Sequence, residues 1–224
     1  MRQYGEWNTG KAWDSSAHSL LREVTWHPEL QQLVFSPLAE QASLRDGILG
    51  QLGRRSLPAG EPLYMGLPKQ AGNQSELVVS FERPAVAVNL SVRVMVDDVT
   101  QGGGPDCVIR YRPNATKIAV GCDGVFDELR LSPSDERLEM RLFVDNVFTE
   151  TYWMGGRVVM TLPSKACERC DMTVGTDTPG VSLVEAIAYR VRSIWVSSEE
   201  VLRTARGDGG NSTLMVERLE AQQR

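Results

Sequence analysis

Apolar and polar positions alternate with period two along most of the chain, in short runs rich in valine, threonine and aromatic residues. The clearest runs cover residues 77–81, 86–96, 107–111, 118–122, 138–144, 148–153, 158–162 and 183–195. Turn-forming clusters separate them, among them Gly102-Gly103-Gly104-Pro105, Pro113-Asn114, Ser132-Pro133-Ser134-Asp135, Gly155-Gly156 and Thr178-Pro179-Gly180. Many short strands so spaced predict an all-β protein, an antiparallel two-sheet sandwich or a barrel. No fixed-period repeat is present.

Two segments read as helices instead. Ser36-Pro37 offers an N-cap with proline at the first helical position, and residues 38–45 run on to a stop at Gly47, which predicts a linker helix within 36–50. Ser197 with Glu200 resembles a capping box opening a helix over about 198–204. From Gly207 the chain turns to glycine and polar residues, so 201–224 reads as a flexible polar tail.

One hairpin can be paired residue by residue. Closing the loop Pro113-Asn114-Ala115-Thr116 sets Tyr111 against Ile118, Ile109 against Val120 and Cys107 against Cys122. Cys107, Ile109, Tyr111, Ile118, Val120 and Cys122 then share an apolar face that should point into a core. Opposed Cβ atoms lie about 4.5–5.5 Å apart and a disulfide needs roughly 3.5–4.5 Å, so a bridge and two buried thiols are both compatible with this pairing.

Composition narrows the function classes. The 224 residues are 42% apolar and carry a net charge of −5, which fits a globular domain and argues against a nucleic-acid partner. No apolar run approaches the roughly 18 residues of a membrane span, and no membrane partner is expected. Cys167-Glu168-Arg169-Cys170 has the spacing of a redox motif or half a zinc site, but further ligands are limited to His18, His27 and the hairpin cysteines. A loop staple, or two ordinary thiols, is the better reading, with no metal and no cofactor. The chain contains no nucleophile elbow, phosphate loop or dinucleotide motif, and no acidic pair is singled out by spacing. No residue is therefore assigned a catalytic role. An exposed aromatic platform for sugar would have to use Tyr152, Trp153 or Trp195, although core packing competes for such residues. Sequons at Asn73, Asn89, Asn114 and Asn211 mark glycosylation only in a secreted chain. Asn114, at the hairpin tip, is the best placed, Asn73 and Asn211 are further candidates, and Asn89 lies inside a strand.

The order of these pieces resembles the C-terminal part of glycoside hydrolase family 32, the invertases and fructan hydrolases. Leu21-Arg22-Glu23-Val24 is similar to the "PREL" stretch that ends the family's propeller, with leucine where proline is usual. Leu33 through Gln41, including Pro37 and Glu40, is similar to the family's linker segment. The fullest match runs from Leu142 to Tyr152, with Asp145 and Glu150, and continues through Gly156, Arg157 and Thr161 as in the family's sandwich hairpin. Ser193-Ile194-Trp195 is similar to its closing strand.

The resemblance implies a β-sandwich over 51–200, preceded by a remnant of the last propeller blade over 1–35. It also implies a parent enzyme that cleaves sucrose or fructans with two carboxylates, in an extracellular or vacuolar setting. The acidic motifs "W-M-N-D-P-N-G", "R-D-P" and "E-C" that carry those carboxylates do not occur here; Arg45-Asp46-Gly47 lacks the proline and Cys167-Glu168 reads in reverse. A non-catalytic accessory module is the expectation, with a missing propeller as its partner. Without that propeller, Val24, Trp26, Leu33 and Phe35 would form an apolar patch able to promote homo-oligomers. A carbohydrate-binding module is the alternative.

Overall fold

A computed structural model describes residues 19–97 and 104–192. In chain order its strands are β1 (Arg22–His27), β2 (Gln32–Pro37), β3 (Arg45–Leu52), β4 (Arg55–Leu57) and β5 (Leu63–Tyr64). Then come β6 (Gln74–Glu82), β7 (Val88–Val96), β8 (Asp106–Tyr111), β9 (Lys117–Cys122) and β10 (Val125–Arg130). The last five are β11 (Arg137–Asp145), β12 (Phe148–Trp153), β13 (Val158–Pro163), β14 (Asp171–Thr176) and β15 (Val181–Val191).

These strands build three antiparallel sheets, one of them the two-stranded β1–β2 ribbon. A six-stranded sheet runs β10-β9-β8-β7-β14-β5, and a seven-stranded one runs β13-β12-β11-β6-β15-β3 with β4 also paired to β15. Period-two alternation supplies the core: Leu77, Val79 and Phe81 of β6 and Leu138, Met140 and Leu142 of β11 are fully buried. They meet Leu90 and Val92 of β7 and Ile109 of β8 from the other sheet. The fold is the antiparallel sandwich that the alternation predicts.

The hairpin register is as read from sequence, with Cys107 opposite Cys122 and Ile109 opposite Val120. The two cysteines form a disulfide. It lies against the Thr151 hydroxyl of the facing sheet, 3.6 Å from the Cys107 sulfur, so the bridge sits between the layers. Cys167 and Cys170 are also joined, as a staple of the loop between β13 and β14.

The linker helix is the main departure. Only a 3-10 turn over Ala39–Leu44 forms, its N-cap Leu38 makes no side-chain cap, and Pro37 ends β2 rather than opening a helix. The chain is extended again from Arg45, because β15 offers β3 an antiparallel ladder, interrupted by two register shifts, and tertiary pairing outweighs local helix propensity. The final strand spans Val181–Val191, starting two residues before the predicted run. The helix proposed for 198–204, Trp195, Asn211 and the polar tail lie outside the described residues.

Candidate functional site

The feature that bears on function is the seam where the β1–β2 pair meets the outer face of the seven-stranded sheet. On that sheet, core-facing Thr149, Thr151 and Trp153 of β12 alternate with Glu150 and Tyr152, which face outward. Outward here does not mean exposed: Glu150 is 0% accessible and Tyr152 is 1%.

The N-terminal hairpin covers them. The Arg22 guanidinium donates Nη2–H to Glu150 Oε2 at 2.9 Å and Nε–H to the Tyr152 hydroxyl at 3.1 Å. The Leu20 N–H donates to Glu150 Oε1 at 2.7 Å, and the Tyr152 hydroxyl donates to Glu150 Oε2 at 2.7 Å. Four donor contacts thus converge on two buried groups, which is how the desolvation of a buried carboxyl group is offset. Burial, joined by the bond to Glu150, pushes the Tyr152 phenol up. For Arg22, burial acts downward, but the bonds to Glu150 and Tyr152 outweigh it and raise the guanidinium further.

The rest of the seam is mostly recognition of backbone by side chains. Ser36 Oγ donates to the Gly155 carbonyl at 2.8 Å and Gln32 Nε2 to the Arg157 carbonyl at 3.2 Å. Arg130 donates Nη1–H to the Leu30 carbonyl at 2.8 Å, and the Ser132 hydroxyl donates to Glu29 Oε1 at 2.7 Å. Gly156 shows why a glycine stands there. Its φ is +101°, and a Cβ would fall 2.2 Å from the Phe35 carbonyl oxygen. Arg157 grips Asp135 with both nitrogens, at 2.6 and 2.8 Å. Burial acts to raise the Asp135 carboxyl, but the Arg157 guanidinium and the Ser132 N–H outweigh it and hold it below its ordinary value.

A second buried carboxylate lies two strands away on the same face. Glu76 is 0% accessible and accepts from Arg45 at 2.8 and 2.6 Å and from Arg141 at 2.6 Å. Arg45 stacks on Tyr189 at 4.1 Å and Arg141 on Phe143 at 4.6 Å. Phe143 pairs with both Glu76 and Glu150, so the two residues flank one strand, with their backbones about 9–10 Å apart. Glu76 is held by two arginines, and Glu150 by Arg22, the Leu20 N–H and the Tyr152 hydroxyl.

The far side of the seam is open. Val24 pairs with Phe35 and Trp26 with Leu33, which places the four on one face of the hairpin. Their accessibilities are 55, 37, 59 and 49% for Val24, Phe35, Trp26 and Leu33. A two-stranded ribbon is marginal alone, and here one body already holds it while an apolar face is left uncovered.

The remaining sequence candidates fall as follows. Tyr152 and Trp153 do not make a sugar platform: Tyr152 is sealed under Arg22 and Trp153 is 0% accessible in the core, because β12 is an inner strand covered on both faces. Glu23 and Glu40 are exposed. Asp145 is exposed at the β11–β12 turn, where its carboxylate accepts from the Asn146 amide at 3.1 Å. Among the described residues no group of three His, Cys, Asp or Glu side chains is placed to hold a metal. Glu76 and Arg141 were not singled out in the sequence, and Arg45 was noted only within Arg45-Asp46-Gly47; a charged residue inside a largely apolar strand, as in Ser75-Glu76-Leu77, is the signal that marks such a cluster.

No protein-family model and no curated protein sequence matches the chain. Solved structures do. Fructan 1-exohydrolase IIa from Cichorium intybus matches with a TM-score of 0.60 at 16% identity, over 76% of this chain and 40% of that one. A variant of that enzyme in complex with 1-kestose matches with a TM-score of 0.61 at 15% identity, over the same shares. An exo-inulinase from Aspergillus awamori matches at 0.54 and 15%, over 78% of this chain and 35% of that one. The chain shares the fold of the matched part of these enzymes. At these identities the likeness establishes that fold and no residue roles, and the chain spans about two fifths of the enzymes it matches.

Proposed function

We propose that this chain is the C-terminal accessory β-sandwich of a β-fructofuranosidase-like enzyme of glycoside hydrolase family 32. In this reading β1 and β2 are the last strands of the enzyme's propeller. The sucrose- or fructan-cleaving carboxylates belong to the part of the parent that the chain does not match. The observation that carries the reading is the hairpin itself: buried Arg22–Glu150 bonds fix it to the sandwich, while Val24, Trp26, Leu33 and Phe35 stand open as the neighbouring blade's seat.

The chemistry of the buried acids supports a non-catalytic role. Retaining glycoside hydrolysis needs two carboxyl groups roughly 5–5.5 Å apart flanking a sugar, one of them free to protonate a leaving group. Glu76 and Glu150 are both buried, lie under arginines and stand on strands separated by a third. A carbohydrate-binding role is disfavoured because Tyr152 and Trp153 present no ring to solvent.

The open face also predicts behaviour. With nothing packed on it, the purified chain self-associates as concentration rises, and Trp26→Asp relieves this. Sedimentation of both proteins across a concentration series is the test; two equally monomeric proteins at every concentration would count against the docking face.

A further inference from the structure

We propose that Asn114 is an N-glycan acceptor, and that the folded chain denies this modification to the two other described sequons. The described residues hold three copies of this short motif in three different settings.

Asn73 precedes Gln74 and Ser75 at the start of β6. Its amide Nδ2 donates to the Cys167 carbonyl at 2.9 Å, and its Oδ1 accepts from the Cys167 N–H at 3.0 Å. This two-way clamp holds the loop closed by the Cys167–Cys170 disulfide, and Ser75, the sequon's hydroxyl, is 1% accessible. A sugar on Nδ2 would break the clamp and meet the loop. Asn89 precedes Leu90 and Ser91 inside β7, where its Nδ2 donates to Asp177 Oδ2 at 2.6 Å while its N–H donates to Oδ1 at 2.9 Å. Leu90 beside it is 0% accessible, so the strand cannot lift from the sheet to enter a transferase.

Asn114 differs on each count. It occupies the tip of the β8–β9 hairpin with φ +61°, a left-handed turn conformation that asparagine tolerates and that throws the side chain outward. Asn114 and Thr116 are both exposed, and the Asn114 amide makes no hydrogen bond to any described residue. The turn is also held in place, by Ala115 N–H to the Arg112 carbonyl at 3.3 Å and by Leu131 N–H to the Thr116 carbonyl at 2.8 Å.

A second observation bears on the compartment. The same hairpin is closed by the Cys107–Cys122 disulfide, and every described cysteine is in a bridge. Disulfides persist in the oxidising secretory pathway, which is also where N-glycans are attached. One strand pair therefore carries both marks of that route.

The step balances with a lipid-diphosphate-linked oligosaccharide as donor. The Asn114 Nδ2 attacks the anomeric carbon, a C–N bond forms, and the C–O bond to the lipid diphosphate breaks. The amide nitrogen gives up one proton to the transferase, and the lipid diphosphate leaves.

The experiment expresses the full chain behind a cleavable secretion leader in a eukaryotic host and maps each site by glycopeptide mass spectrometry before and after peptide-N-glycosidase. The expected result is occupancy at Asn114, lost in Asn114→Gln and in Thr116→Ala, with Asn73 and Asn89 bare. Thr116→Ser, which keeps the hydroxyl, should retain the glycan. A secreted, folded chain with Asn114 bare, or with Asn73 or Asn89 occupied, overturns the proposal.

Discussion

Replacing Glu150 with glutamine is the sharpest perturbation of the seam. The side chain keeps its shape and loses its charge. Glu150 accepts three hydrogen bonds, from Leu20 N–H at Oε1 and from Arg22 and Tyr152 at Oε2. A glutamine has one acceptor oxygen, so its NH2 group must confront at least one of those donors whichever way it is turned. The Arg22 charge loses its partner as well. A hydrogen bond to a charged group contributes roughly 1.5–3 kcal/mol, and breaking a buried pair costs roughly 3–5 kcal/mol. Arg22 retains some solvent, with 23% of its side chain accessible, which puts the expected loss at the low end, about 3 kcal/mol. For a chain of this size that corresponds to a fall in Tm of about 6–12 °C. Urea unfolding of the wild type, Glu150→Gln, Arg22→Met and the double variant completes a cycle, and a coupling energy of about 2 kcal/mol is expected between the two positions. Hydrogen exchange locates the effect: in both single variants the β1–β2 amides should exchange faster while those of β6 and β11 keep their protection. A coupling near zero, or a Glu150→Gln protein as stable as wild type, would refute the claim that this bond network holds the hairpin to the sandwich.

Further outcomes follow from the same geometry. Asp135 has a carboxyl held below its ordinary value, so its contribution to stability is present above about pH 4 and is lost as pH falls through and below that value; Asp135→Asn should lower stability at neutral pH and flatten the acid limb of an unfolding-versus-pH curve. Removing the Cys107–Cys122 bridge, whose cysteines are 15 residues apart, should cost about 3 kcal/mol in denaturant unfolding, whereas opening the Cys167–Cys170 staple, with a separation of 3, should cost about 2 kcal/mol. Gly156→Ala places a methyl against the Phe35 carbonyl at a positive φ, and should loosen the hairpin in the same exchange experiment.

Much of the sandwich was legible because its strands alternate with period two over most of their length. Leu77-Val78-Val79-Ser80-Phe81 and Leu138 to Val144 state their core face outright, and the Cys107–Cys122 register followed from loop length alone. β3 was not legible. Arg45 to Leu52 holds two glycines and follows a segment with helical start and stop signals, and only its ladder with β15 makes it a strand. Strand β10 was missed for a related reason, since Val125-Phe126-Asp127-Glu128 puts polar residues where a half-buried pattern wants apolar ones, and β14 was missed although its buried Met172 and Val174 do alternate. At the seam, the motif residues Arg22, Glu150, Gly156 and Arg157 were named, but not that Arg22 reaches Glu150 across 128 positions. The aromatic platform failed on the same point: sequence gives a ring's alternation and not the layer that covers it.

Fructose release by the purified chain tests the central claim most directly. With sucrose, 1-kestose and inulin as substrates, the account predicts none above a denatured control. Sustained turnover that disappears when one described carboxylate of this chain is changed in an otherwise folded protein would contradict it.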